Sequence, residues 1–576
     1  MKIKLAFYSA ILTIVTIIVV FLVGNKYEMK DTANKICKRN HPFYIAPVLN
    51  EFNYDTLPKV IDSLNKLEPT GPAGKIQIGY TISIPVLSLY KWDKRKKEFI
   101  FDETKVFDYL EMIKTIKRPV VIYLMADHFS PTCELVDWLK QDKRNFMQLN
   151  NGEIPQSQYF MTEILPFTLS VDPALSVNSY RFAAFKRTAE LFNNFEKENA
   201  DLIIGYTING ETHHLFPNFS SGTGEYDSYL ITDYSDQSIT EFQDWLSQHY
   251  NLQDLNSLFG SNFSSWQEVL PPSKNISVTG GKVWEHIDSY AHGQIPIYGW
   301  INGLEGKTID VYLDGILLGQ AVYGLNRMDV YQTKESIHNP NVGFRYNIDY
   351  RNISVGEHLI EVKIGYDLFG SKKLFIAKDS ESLTKTFSAD ITEKQMQFLG
   401  NLDGPESYQV LYNPLAEIWQ EFRSHQVTNY LKKANSILVE AGISQNKIYS
   451  HQVLASLNGG WNETLFASDT SLASTVSYNL GVNLYGGLTN NLLVDNLVSE
   501  KRFGSPEFNP QTFKTPDYFK QAIMHQYEAC SDFISPYFFG IIVTEDFEHE
   551  KMNILGENND MGAKYFYQAI KQMAEK

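Results

Sequence analysis

With 576 residues, 43% of them hydrophobic and 20% charged, the chain has room for more than one folded unit and is too apolar to be disordered. A formal net charge of −16 argues against nucleic acid or anionic lipid as the main partner, since both need clustered Lys and Arg. The aromatic share of 14% suits stacking on flat ligands, and equally suits a large core.

Lys2 and Lys4 precede a nearly unbroken apolar run from Leu5 to Gly24. At about 20 residues, such a run is long enough as a helix to cross a hydrocarbon layer. The two lysines stay cytoplasmic and the rest of the chain goes outward. Phe21-Leu22-Val23-Gly24-Asn25 offers no small-residue cleavage site, so residues 1–24 read as an uncleaved transmembrane anchor, with a cleaved signal as the alternative. A linker, 25–42, follows. Cys37, Cys133 and Cys530 are too far apart for a structural zinc site and allow one disulfide outside the cytoplasm.

Strand-like and helix-like runs then alternate. Phe43–Leu49 reads as a first strand and Lys75–Val86 as a second. Val106, Leu110, Ile113 and Ile116 recur at helical spacing before a third strand, Pro119–Met125, whose continuous apolar run fits a parallel strand covered on both faces. A helix over 181–197 leads to the fourth, Leu202–Ile208. From 277 to 375 short alternating runs with turns such as Leu313-Asp314-Gly315 predict an inserted all-β sandwich, and its motifs resemble an immunoglobulin-like module. A long helix, 414–441, restores the rhythm. Strands five to eight follow at Lys447–Gln452, Val476–Tyr485, Arg502–Phe508 and Phe533–Val543, with a closing helix at 562–573. The expected fold is α/β, a (β/α)8 TIM barrel in two parts, 43–276 and 376–576, split by the sandwich over 277–375.

Two carboxylates stand at strand ends in this scheme. Glu211 closes Asp201-Leu-Ile-Ile-Gly-Tyr-Thr-Ile-Asn-Gly-Glu211 after strand four, and Glu507 lies in Ser505-Pro506-Glu507-Phe508 at the end of strand seven. The C-terminal rim of a barrel is where such enzymes do their chemistry, and a facing carboxylate pair is the minimum for cleaving a glycosidic bond.

The four-and-seven placement resembles clan A glycoside hydrolases. The segments Phe242–Tyr250, Leu255-Asn256-Ser257-Leu258-Phe259-Gly260, Phe263–Val269 with Pro271-Pro272, and Trp419-Gln420-Glu421-Phe422-Arg423 resemble glycoside hydrolase family 42, the β-galactosidase-like enzymes. The resemblance implies Glu211 as general acid/base and Glu507 as nucleophile, with no cofactor and no metal. Family members usually place Asn directly before the acid/base, whereas here Gly210 stands there and Asn209 one residue earlier. The family's zinc-binding cysteines and trimerisation domain are absent from this sequence, which fits a divergent branch.

Other polar residues fall at strand ends and are candidates for sugar contacts: Asn209, Asp127, His128, His213, His451, Asn483 and Tyr485, with Trp461 as a stacking platform. The resemblance also implies that Tyr485 hydrogen-bonds Glu507. Asn50, Glu51, His214 and Gln452 lie at strand ends too. Glu211, His213, His214, His128 and Asp127 read alternatively as metal ligands. Adjacent histidines on extended chain point to opposite sides, which disfavours both on one ion. No phosphate loop or serine-hydrolase elbow is present. The expected function is a membrane-anchored, extracytoplasmic retaining glycoside hydrolase acting on a β-linked glycan or polysaccharide. The alternative is a catalytically inactive glycan-binding or envelope-assembly protein on the same barrel.

Overall fold

The structure, a computed structural model, describes residues 41–49, 52–128, 132–155, 157–159, 162–214, 231–287, 290–304, 306–383, 398–404, 408–457, 463–485, 501–509, 516–537 and 563–575. The expected anchor over 1–24, Asn50, Glu51 and Trp461 lie outside these residues. Among the described residues no helix is long and apolar enough to cross a membrane.

The run Val120–Met125 lacks polar alternation because both of its faces are covered, and Val120 to Tyr123 are all buried. It is one of eight barrel strands: β1 (Phe43–Ile45), β2 (Ile76–Ile78, resuming at Tyr80–Pro85), β3 (Val120–Met125), β4 (Ile203–Asn209), β5 (Ile448–Tyr449 and Gln452–Val453), β6 (Leu480–Tyr485), β7 (Phe503–Asn509) and β8 (Phe533–Pro536). Every neighbouring pair is parallel, from Phe43 opposite Ile76 through Met125 opposite Asn209 and Tyr206 opposite Ile448 to Ser505 opposite Ile534. Tyr44 opposite Phe533 closes the ring.

Helices Leu57–Leu67, Glu103–Ile116, Ser176–Asn199, Pro414–Glu440, Pro516–Glu528 and Ala563–Ala574 lie between or after the strands. Their apolar sides join one core with them, including Val60, Ile113, Phe192, Leu438, Ile523 and Ile570. A second core gathers Phe242, Leu246, Leu255 and Val269 around Trp419 and Phe422. It explains the spacing of the 242–272 segment. Helices Asp236–His249 and Leu252–Phe259 lie against the long helix, and Asn256 stitches the turn beyond them by accepting from the Phe263 N–H at 2.7 Å and donating to its carbonyl at 2.8 Å.

The inserted unit has two sheets. One orders Val322–Leu325, Gly343–Asp349, Gln294–Ile301 and Gly400–Gly404; the other orders Ile316–Gln320, Ile309–Leu313, Gly356–Ile364, Asp367–Ile376 and Gln409–Val410. Alternate residues of each, such as Ile295 and Ile297 against Val311, Ile360 and Val362, form a shared core. The unit thus begins near Gln294 and reaches Val410 rather than filling 277–375. Its last strands are short, and Gly-Asn-Leu-Asp-Gly carries no hydrophobic alternation that would announce a strand. Cys530 is disulfide-bonded and Cys133 is a free thiol.

Candidate active site

The end of β4 is bent by two residues with positive φ, Asn209 at 67° and Gly210 at 101°. Gly210 fits because it has no Cβ. A Cβ there would sit 2.0 Å from Oδ2 of Asp127 and 2.3 Å from the Tyr123 hydroxyl. That hydroxyl donates to Asp127 Oδ2 at 2.8 Å, so β3 fills the space an asparagine would need. The departure from the usual family pattern has this steric cause. Asn209 is fully buried, and its carboxamide has no hydrogen-bond partner among the described residues.

Beyond this bend Glu211 is 3% exposed, with Oε1 accepting from Asn483 Nδ2 of β6 at 2.9 Å. Across the rim, Glu507 of β7 keeps 17% of its side chain exposed, and its Oε1 lies 3.1 Å from His451 Nε2. His451 sits in the break of β5. Thr207 of β4 lies 3.2 Å from its Nδ1, and its ring lies 4.1 Å from that of Tyr123. Burial and then the charge of Glu507 push the Glu211 carboxyl well above the usual range, Asp127 adds to this, and the Asn483 hydrogen bond opposes it. Burial and then the charge of Asp127 hold Tyr123 a phenol, with Glu507 and Glu211 contributing. Glu211, Glu507 and Asp127 therefore act electrostatically on one another and on Tyr123.

The histidines divide. His128 and His213 have ring centroids 5.2 Å apart, and with Glu211 they offer three ligand atoms within 4.8 Å of one another. Burial lowers His128 to about 3, which makes it a neutral imidazole. His214 is outside this trio. Its backbone N–H bonds the Phe466 carbonyl at 3.1 Å, and the Phe466 ring packs edge-on against His213 at 5.0 Å. The expectation of no metal therefore meets a trio chemically able to hold one.

Glu211, Asp127, His128, His213, His451, Asn483 and Glu507 all come to the C-terminal rim, with Asn209 beneath. Among the described residues, one hydrogen-bond partner of Glu507 is His451. Tyr485 ends β6, and its side chain lies outside the described set. Gln452 locks the turn after Glu211, its Oε1 accepting from the Thr212 N–H at 3.2 Å and its Nε2 donating to the Thr212 carbonyl at 2.9 Å. Buried Arg423 donates to the carbonyls of Thr232 and Leu465, tying two rim loops together. Tyr123 and Thr207 escape sequence reasoning. The available signal is a polar-tipped residue near the end of an apolar strand, which core residues share.

The family model described as beta-galactosidase, of glycosyl hydrolase family 42, matches residues 223–286. This overlaps the segment whose spacing carries the resemblance. An exo-beta-D-glucosaminidase of Pyrococcus horikoshii is 25% identical over 158 residues, which are 26% of this chain and 18% of that protein's length. In structure the chain is similar to the catalytic domain of beta-amylase from Paenibacillus polymyxa, with a TM-score of 0.48 and 10% identity over 93% of this chain and 100% of that one. It is also similar to beta-galactosidase from the psychrophilic Marinomonas ef1, with a TM-score of 0.45 and 9% identity over 92% of this chain and 59% of that one.

Proposed function

We propose that the chain is a retaining glycoside hydrolase for β-linked glycans, with Glu211 as acid/base and Glu507 as nucleophile. The observation that carries this reading is the contrast between two rim carboxylates. Glu211 is buried and raised well above its ordinary value, while Glu507 is partly exposed and held by His451. Protonated Glu211 gives its proton to the leaving glycosidic oxygen as Glu507 attacks the anomeric carbon. The glycosyl–Glu507 ester removes the charge that, after burial, helped to keep Glu211 protonated. Glu211 then takes a proton from water, which attacks the ester and releases the sugar. Asn483 orients Glu211, and Asp127 provides a polar group for sugar hydroxyls.

The disulfide at Cys530 supports an oxidising, extracytoplasmic compartment, in keeping with the apolar N-terminal run as an anchor. We read the sandwich as immunoglobulin-like and as a spacer or glycan-binding unit. The sugars in the relatives' names, β-galactosides and β-glucosaminides, head the substrate panel. The test is a screen of aryl β-glycosides with wild type, Glu211→Gln and Glu507→Gln. Turnover by wild type that both substitutions abolish is expected; turnover that survives both overturns the assignment.

A further inference from the structure

We propose that His128, Glu211 and His213 form a site for a divalent transition-metal ion of borderline softness, Zn²⁺ being the best match, and that an ion seated there blocks hydrolysis. The blocking half rests on the hydrolase reading above; the binding half does not.

Two imidazoles and a carboxylate are a ligand set that suits zinc, and three protein ligands leave a fourth position for water. Zn–N and Zn–O bonds of about 2.1 Å place tetrahedral ligand atoms roughly 3.4 Å apart. The trio's ligand atoms already lie within 4.8 Å of one another, and all three residues are buried. Closing on an ion therefore needs side-chain movements on the order of 1 Å.

The surroundings orient these ligands. The His128 and His213 rings are buried with their centroids 5.2 Å apart. Asn483 holds Oε1 of Glu211, which leaves a second carboxylate oxygen for the ion, and Phe466 packs against the His213 ring. His214, next in sequence, lies outside the trio and serves as the control. An ion on Glu211 occupies the group that must deliver a proton to the leaving oxygen, so bound metal and turnover exclude one another.

The test uses the full chain after chelator treatment, titrated with ZnCl2 by calorimetry and with cobalt(II) by visible absorption. One ion per chain is expected for wild type. Binding should be at least about 100-fold weaker in His213→Gln, since loss of outer partners alone costs 10–100-fold. His214→Gln should still bind. ZnCl2 should raise the unfolding temperature of wild type but leave the cooperative transition of His213→Gln unmoved, which separates a lost site from a lost fold. With an aryl glycoside, ZnCl2 should inhibit wild type reversibly by EDTA. No stoichiometric binding, or equal binding by His213→Gln, overturns the site. Stoichiometric binding with unimpaired turnover overturns the block. A chain that hydrolyses no glycoside yet binds one ion only through His213 keeps the site and removes the hydrolase reading instead.

Discussion

Gly210→Ala is the sharpest perturbation of this rim. The added Cβ would meet Asp127 Oδ2 at 2.0 Å and the Tyr123 hydroxyl at 2.3 Å, in a backbone with φ of 101°. Left-handed strain for an L-residue costs roughly 1–2 kcal/mol. Overpacking costs about 1–3 kcal/mol, and loss of the buried Tyr123–Asp127 hydrogen bond about 1–3 kcal/mol. One local shift relieves several of these together, so they overlap and the expected loss is about 3–5 kcal/mol. Gly315→Ala is the control, because Gly315 has φ of 79° with nothing within 4 Å of its absent Cβ. It should lose only the strain, about 1 kcal/mol. Urea unfolding followed by tryptophan fluorescence measures both. Turnover of an aryl glycoside by Gly210→Ala should fall about 100-fold, since misplacing a reacting group by about 1 Å has that effect. If Gly210→Ala unfolds beside Gly315→Ala and keeps wild-type turnover, the steric account of this glycine is wrong.

Three further outcomes are expected. Glu211 is raised in the native state by burial and then by Glu507, so between its unfolded and folded values the native chain holds more protons. Its stabilising contribution is complete below the unfolded carboxyl range, about 4.3, and is lost as pH rises through the folded value. Glu211→Gln should lack that decline in urea unfolding measured across pH, and parallel curves would refute the burial argument. Asp127 adds to the raised value, so Asp127→Asn should move the alkaline limb of kcat/KM to lower pH; an unmoved or upward-shifted limb contradicts this. The disulfide at Cys530 uses two of the three cysteines and Cys133 is free, so thiol titration of the denatured chain should find one thiol before reduction and three after.

The barrel was legible where a strand declares itself locally. Val120–Met125 reads as buried on both faces without a partner in view, and the helical spacing of Val106, Leu110, Ile113 and Ile116 reads as one face. That His213 joins the trio and its neighbour His214 does not was also legible locally. The missing parts depend on residues far apart in sequence. Nothing near Gly210 tells that Tyr123 and Asp127 occupy its side-chain space, although its departure from the family pattern was visible. Nothing near Glu507 points to His451, which reaches it from two strands earlier in the ring. The late sandwich strands Gly400–Gly404 and Gln409–Val410 owe their pairing to partners already in place.

The most direct measurement is trapping with a panel of activated 2-deoxy-2-fluoro β-glycosides, followed by mass spectrometry of the digested chain. An intermediate that forms fast and hydrolyses slowly should leave a sugar on the peptide containing Glu507, with Glu211→Gln still labelled by reagents whose leaving groups need no proton. A label on any other residue, or turnover of aryl glycosides with inversion and no covalent adduct, contradicts a nucleophile at Glu507.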